Sequence, residues 1–374
     1  MSEQTGIGNI TLFPTIHQGK LPMAEVKKSS EQLLEILGLS EKCKFTRTAL
    51  LGMMAAKEAL VSAKIHEMSS HRTGLISATT VGGMDRSENF YPEFLSNPGK
   101  GRLIDIVHHD CADSTECIAD CTGIRDFVTT ISTACSSSAN AIMHGAQLIK
   151  AGMLDRVVCG GTDSVTRFTL NGFNTLMILD KNGCRPFDEN RAGLTIGEGA
   201  AFLVMESEET MQKEGKIPLA ELIGYGNAND AYHQTASSPE GTGASMAMQK
   251  ALDLSGLPSS AIDYINVHGT GTQNNDLSEG IAMEKVFGDR VPFFSSTKAF
   301  TGHTLGAAGA IEAIISILSI RHRCIFPNLN WSTPMKELKI SPVSKLMKEA
   351  NINTVLSNSF GFGGNNSTLI FSKA

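Results

Sequence analysis

Cys135 lies in Ile131-Ser-Thr-Ala-Cys-Ser-Ser-Ser-Ala139, where a buried-strand pattern ends at Ala134 and a helical pattern begins within a residue or two. A thiol on such a turn faces a helix N-terminus. The dipole and free N–H groups there favour a thiolate and offer donors to an oxyanion formed beside it. A small buried thiol in a tight turn accounts for the same pattern. His268 follows a short apolar run and opens a Gly/Thr loop, Asn266-Val-His-Gly-Thr-Gly-Thr-Gln-Asn-Asn-Asp276. Gly269 and Gly271 let a ligand approach, and Thr270 and Thr272 offer hydroxyls to a polar chain or phosphate. His303 stands in a second such loop, Ser296-Thr-Lys-Ala-Phe-Thr-Gly-His-Thr-Leu-Gly-Ala-Ala-Gly-Ala310, with Lys298 upstream in it. Glu312 interrupts the apolar helix pattern that follows; a lone carboxylate there is costly, and Lys298 is its natural partner. Read singly, each histidine fits a structural role, Lys298 a surface charge and Glu312 an edge-of-core side chain. The last segment, Asn358-Ser-Phe-Gly-Phe-Gly-Gly-Asn365, has the make-up of a mobile gate or of a plain hairpin.

These residues need a scaffold that ends strands at loops. Strands are expected at 72–80, 127–134, 156–160 and 200–206, and then at 219–224, 264–267, 292–297, 354–357 and 367–372. Helices are expected at 48–64, 137–151, 243–255, 277–287 and 306–321, with apolar residues at helical spacing such as Ile142, Met143, Ala146 and Ile149. The alternation predicts an α/β fold with buried, mostly parallel sheets. A charged stretch at 207–216 separates two halves, 1–206 and 207–374; the second reads as five strands, the first as four.

Composition narrows the function. Hydrophobic residues are 41% and charged residues 19% of 374, enough apolar material for a large core and too much for disorder. The net charge of −6 argues against nucleic acid as the main partner. No secretory signal is visible, and the most apolar stretch, 307–320, carries Glu312 and is expected to be too short to cross a membrane. Eight cysteines without a signal read as reduced thiols of a cytoplasmic protein. Cys111, Cys117 and Cys121 beside His108 and His109 lack paired metal-ligand spacing and read as buried or interface thiols.

Taken together, in one order along the chain, these segments resemble the elongating β-ketoacyl-[acyl-carrier-protein] synthases. The resemblance runs through Thr133-Ala-Cys135, Arg185-Pro-Phe-Asp188, Tyr225-Gly, Asp230-Ala-Tyr-His233, His268-Gly-Thr-Gly-Thr272, Lys298, Gly302-His303 and Phe360-Gly-Phe-Gly-Gly364. It implies a thiolase-like duplicated fold of two βαβαβαββ halves in five α-β-α-β-α layers, without the first strand of the first half. It implies decarboxylative Claisen condensation: Cys135 takes the acyl chain, His268 and His303 stabilise the enolate, and Lys298 orders the histidines. The N–H groups of Cys135 and Phe362 form the oxyanion site, and Phe362 is the gate. Asp276, Glu279 and Glu312 are supporting acids, and Thr270 and Thr272 contact the pantetheine arm. The implied partner is an acidic acyl carrier protein docked on Lys42, Lys44, Lys100, Arg102 and Arg191, with Cys43 replacing one basic position. The substrates ride on its 4′-phosphopantetheine, and no cofactor is implied. Asn266, Glu312, Ser357 and Asn366 match positions that surround a structural monovalent cation in some relatives.

Two other functions compete. A non-catalytic chain-length-factor-like subunit would lack the cysteine, which is present. A thiolase acting on coenzyme A thioesters would carry a second cysteine in the C-terminal glycine loop, which has Phe362 instead. A starter-type condensing enzyme is disfavoured by the second histidine. A two-fold homodimer is expected, with a heterodimer with a Cys-less paralogue as runner-up. The first strand of the family pattern would lie upstream of Thr5, is expected to be central in its sheet, and suggests that Met1 is internal to a longer protein; otherwise a segment such as 9–13 replaces it.

Overall fold

A computed structural model of the protein describes residues 4–40 and 44–374. Two short strands, β1 (Ile7–Gly8) and β2 (Met23–Ala24), pair antiparallel with each other. α1 (Ser30–Leu37) is closed by Gly38 in left-handed backbone, and α2 (Arg47–Ser62) is started by the Thr46 hydroxyl, which accepts from Ala49 N–H. Then follow β3 (Thr73–Ala78), α3 (Met84–Ser96), α4 (Cys111–Thr122), β4 (Phe127–Ile131), α5 (Ser137–Lys150), β5 (Arg156–Asp163), α6 (Arg167–Thr175) and β6 (Gly199–Glu206). After α7 (Glu208–Lys213) come β7 (Glu221–Asn229), α8 (Thr242–Ser255), β8 (Tyr264–Asn266), α9 (Gln273–Phe287) and β9 (Phe293–Ser295). α10 (Lys298–Thr301), α11 (Ala308–His322), β10 (Thr354–Gly361) and β11 (Asn365–Ser372) complete the chain.

The first sheet has the order β4-β3-β5-β6 and the second β7-β11-β10-β8-β9. β3 pairs in parallel with β4 and β5, and β8 with β9 and β10. Each half then reverses: β5–β6, β10–β11 and β11–β7 are antiparallel, so the sheets are mixed. The expected strands and helices are all present within a few residues. The short strands β1 and β2 and the helices α1, α3, α4, α6, α7 and α10 were not foreseen; α3 buries none of its residues and contains Pro92, so its pattern carries no core-facing stripe.

Five layers result. α2 and α4 cover the outer face of the first sheet, α8 and α9 that of the second, and α5 and α11 lie between the sheets. Ile76, Ile142, Val157, Tyr264, Ala310, Ala313 and Val355 make the buried centre of this sandwich; each large apolar side chain contributes roughly 1.5–3 kcal/mol. α11 sits close to α5 because its first turn is small. A Cβ on Gly309 would lie 2.8 Å from Ala139 N, and Ala310 N–H donates to the Ser138 hydroxyl at 2.9 Å. This contact brings the His303 loop beside the Cys135 turn.

Two expectations need correction. The stretch at 307–320 belongs to a helical run, Leu305–His322, that is long and apolar enough to cross a membrane. It is the core helix between two sheets, mostly buried, which accounts for its apolarity. The strand expected upstream of Thr5 corresponds by order to β7, since β8 to β11 match β3 to β6. β7 is an edge strand beside β11. Its equivalent would border β6 alone and would not be central. Among the described residues no strand pairs with that side of β6, and 9–13 do not replace it.

Candidate active site

β4 ends at Ile131 and α5 begins at Ser137. Between them Ala134 adopts a positive φ of 54°, a strained conformation for a residue with a Cβ, costing about 1–2 kcal/mol. A hydroxyl holds the turn: Ser137 donates to Ala134 O and accepts from Thr133 N–H. Cys135 projects from this turn and is 7% exposed. The expected thiolate is not supported. Burial pushes the Cys135 thiol up to about 11, against the Lys298 charge and the Phe362 N–H, which both favour the thiolate. The turn between β10 and β11 abuts the nucleophile turn through Gly361, where a Cβ would lie 2.9 Å from Thr133 O and 3.1 Å from Cys135 N. Phe362 stacks on Phe173 of α6 at 5.9 Å. The turn is also tied down by Gly363 N–H to Gln234 O at 2.7 Å and by Asp230 N–H to Gly364 O at 2.9 Å.

His268 and His303 follow β8 and α10, and their rings meet edge to face at 5.3 Å. Both are buried. Lys298 Nζ donates to His268 O at 2.6 Å, lies 3.3 Å from His268 Nδ1, and forms an ion pair with Glu312. An ammonium has no lone pair, so Nδ1 accepts and the proton of His268 is on Nε2. Leu305 N–H donates to His303 Nδ1 at 3.2 Å, which puts the second proton on Nε2 as well. Burial, the Lys298 charge and, for His268, the neighbouring histidine hold both imidazoles well below their usual range, hence neutral at pH 7. The pair therefore offers two neutral Nε2–H donors, and the Lys298 charge that acts on both also acts on the Cys135 thiol.

Carboxylates hold the loops. Glu279 accepts from His268 and Gly269 N–H at 2.8 Å each and from Asn358 Nδ2 at 3.1 Å. Asp276 accepts from Phe187 and Gly271 N–H. Burial raises the Glu279 carboxyl to about 7 and also raises Asp276 and Glu312. Thr270 and Thr272 hydroxyls meet at 2.9 Å, and Thr272 caps α9. Asp163 escaped the sequence reading. It is fully buried at the end of β5 and accepts from Thr79, Thr80, Val81 and Gly306, joining the loop after β3 to the His303 turn. Its one signal was an acid ending an apolar strand.

Arg191 is misplaced as a docking cation. It is 7% exposed and donates to Asp188 O, Thr272 O and Gln273 O, so it clamps the threonine loop from behind. Lys100 and Arg102 are exposed, Arg102 pairing with Asp105 at 2.8 Å, and Lys44 is close enough to act on the same Asp105. Lys42 and Cys43 lie outside the described residues. Of the cation candidates, Asn266 Oδ1 and Ser357 Oγ are buried without a hydrogen-bond partner, and the two residues face each other in register. Glu312 O accepts from Asn266 Nδ2 at 3.4 Å. Two orphaned oxygens beside a carbonyl suit a monovalent cation. Asn366 does not join them: Ser357 is opposite Leu369, three residues along β11 from Asn366, about 10 Å at strand spacing. Near α4, His108 Nδ1 meets Asp113 at 2.8 Å, and Cys117 Sγ lies 3.7 Å from the same carboxyl.

The chain is similar to known proteins over most of its length. The family model of the beta-ketoacyl synthase N-terminal domain matches residues 21–211, and that of the beta-ketoacyl synthase C-terminal domain residues 219–332. A 3-oxoacyl-[acyl-carrier-protein] synthase 2 of Staphylococcus aureus (strain COL) is 37% identical over 344 residues, 88% of this chain and 82% of its own. The enzyme of that name from Coxiella burnetii is 33% identical over 385 aligned residues, covering 100% of this chain and 92% of its own. The ishigamide ketosynthase/chain length factor structure matches with a TM-score of 0.92 at 30% identity, over 99% of this chain and 92% of that one. A ketosynthase in complex with its chain length factor from Xenorhabdus doucetiae gives 0.80 at 31% identity, over 99% and 90%.

Proposed function

The chain belongs to the β-ketoacyl synthase family, and from that premise we propose that it elongates an acyl chain by condensing it with malonyl carried on an acyl carrier protein. One observation carries the mechanism: two neutral Nε2–H imidazoles and a buried cysteine flanked by its own N–H and that of Phe362. In the first step Cys135 Sγ attacks the acyl thioester. Its proton leaves with the pantetheine thiol, and the N–H groups of Cys135 and Phe362 hold the oxyanion. Malonyl thioester then loses CO₂, and the electron pair of the broken C–C bond becomes an enolate. His268 and His303 donate to the enolate oxygen. The enolate carbon attacks the acyl-Cys135 carbonyl, a C–C bond forms, and the C–S bond breaks. The expelled sulfur, whose thiol sits at about 11, takes a proton at neutral pH. Loss of CO₂ supplies the carbanion, so the chemistry calls for no further cofactor.

Thr270 and Thr272 are suited to the pantetheine arm, and Lys44, Lys100 and Arg102 to the acidic carrier. We also propose a structural monovalent cation at Asn266 and Ser357, checked by a melting temperature higher in potassium than in choline and insensitive to the exchange in Ser357→Ala. The test of the main reading is intact-mass analysis with a panel of acyl-carrier thioesters. An acyl adduct is expected on Cys135 and none on Cys135→Ala; an adduct on Cys159 or Cys184 overturns it. The chain-length-factor reading is disfavoured because Cys135 and both histidines are present.

A further inference from the structure

The proposed oxyanion site draws one N–H from each half of the chain: Cys135 from the turn before α5, and Phe362 from the turn between β10 and β11. The turns belong to different sheets, so side chains between them must set their register. Asn365 is the residue directly after the Phe362–Gly364 turn. Its Oδ1 accepts from the Ser136 hydroxyl at 2.7 Å, from Asn140 Nδ2 at 2.9 Å and from Asn227 Nδ2 at 2.9 Å. Ser136 follows the nucleophile, and Asn140 lies one turn along its helix and also donates to Thr133 Oγ1 at 2.9 Å. The cluster closes on itself. Asn140 Oδ1 accepts from Asn227 Nδ2 at 3.1 Å and from the Ser367 hydroxyl at 2.6 Å. Asn227 on β7 stands opposite Ser367 on β11. Ser136 and Ser367 are fully buried, and a satisfied polar network in such a place is rigid, whereas a broken one is costly.

We propose that Asn365, held by Asn140 and Asn227, is a positioning residue that fixes the Phe362 N–H relative to Cys135. This rests on the reading of Cys135 as the acylated nucleophile. A donor displaced by about 1 Å loses on the order of 10²-fold in rate. The enolate donors are held by a separate set, Lys298, Leu305 N–H and Glu279. Asn365 therefore acts on acyl transfer and condensation and leaves malonyl decarboxylation alone.

The experiment measures the two half-reactions separately in the full chain. Cys135 acylation is followed by intact mass, and labelled CO₂ release is followed from malonyl carrier. Asn365→Leu, similar in size but without the acceptor, is expected to slow acylation about 10–100-fold at unchanged KM and to leave CO₂ release within about threefold. Asn365→Asp keeps the acceptor and is expected to restore acylation to within about threefold. Equal loss in both half-reactions, or acylation at the wild-type rate, overturns the positioning role. If Asn365→Leu does not fold, Asn227→Ala, which removes one of the three donors, is expected to slow acylation alone by about 3–10-fold; parallel loss or no effect overturns the role again. A wild type that never acylates Cys135 removes the reaction itself and this role with it, a failure visible before any variant is made.

Discussion

At Cys135 a helix terminus and burial pull in opposite directions, and burial wins. The α5 N-terminus, the Lys298 charge and the Phe362 N–H favour a thiolate, yet the enclosed sulfur remains a thiol to about pH 11. The sign is fixed: a raised thiol pKa means that reactivity grows as pH rises. Alkylation of Cys135 by iodoacetamide, followed on its peptide, is expected to increase about tenfold per pH unit from 8 to 10. A plateau below pH 8 would show a resting thiolate. The histidines obey the opposite rule, since burial and the Lys298 charge keep them neutral. His303→Ala is expected to cut CO₂ release from malonyl carrier by roughly 10²–10³, the loss of one oxyanion donor, while acylation of Cys135 survives better. Normal CO₂ release would remove His303 from the enolate site.

Loops at strand ends carry the chemistry, and buried charges from neighbouring elements hold those loops. Glu279 and Asp276 of α9 hold the His268 loop by its N–H groups, while Arg191 holds the same loop by its carbonyls. This pairing distinguishes a clamp from a docking cation. Arg191→Met is expected to raise KM for the carrier-bound substrate by about 3–10-fold with the salt dependence of KM unchanged, because the threonine loop loosens. Weaker salt dependence in the variant would mean that Arg191 meets the carrier directly. The sequence pattern could place Arg191 near the loop but could not tell which side of it the side chain takes.

β4 is the outer strand of the first sheet and runs directly into the Cys135 turn. Its free edge, with Val128 38% exposed, suits antiparallel pairing with a second molecule. A two-fold homodimer is the proposed assembly, and a heterodimer with a Cys-less paralogue is the runner-up because solved relatives include ketosynthases with chain length factors. Sedimentation of the chain alone is expected to show a particle of twice 39.9 kDa. A stable monomer that dimerises only on addition of a paralogue would favour the heterodimer.

The order of elements was legible from local pattern: apolar runs, helical spacing and glycine loops placed Cys135 and His268 at strand ends and His303 in a glycine loop, and Glu312 called for Lys298. These are properties of neighbouring residues, which one chain records directly. Protonation was not legible, because the terminus beside Cys135 is local whereas its burial comes from the β10–β11 turn, more than two hundred residues away. Asn140, Asn227 and Asn365 showed nothing in sequence, since each is an ordinary polar residue until the two halves close on one another. The same holds for Asn366, set apart from Ser357 by strand register, and for Arg191, turned inward. Which partner a side chain reaches depends on the packing of sheet on helix on sheet, and only the tertiary structure decides it.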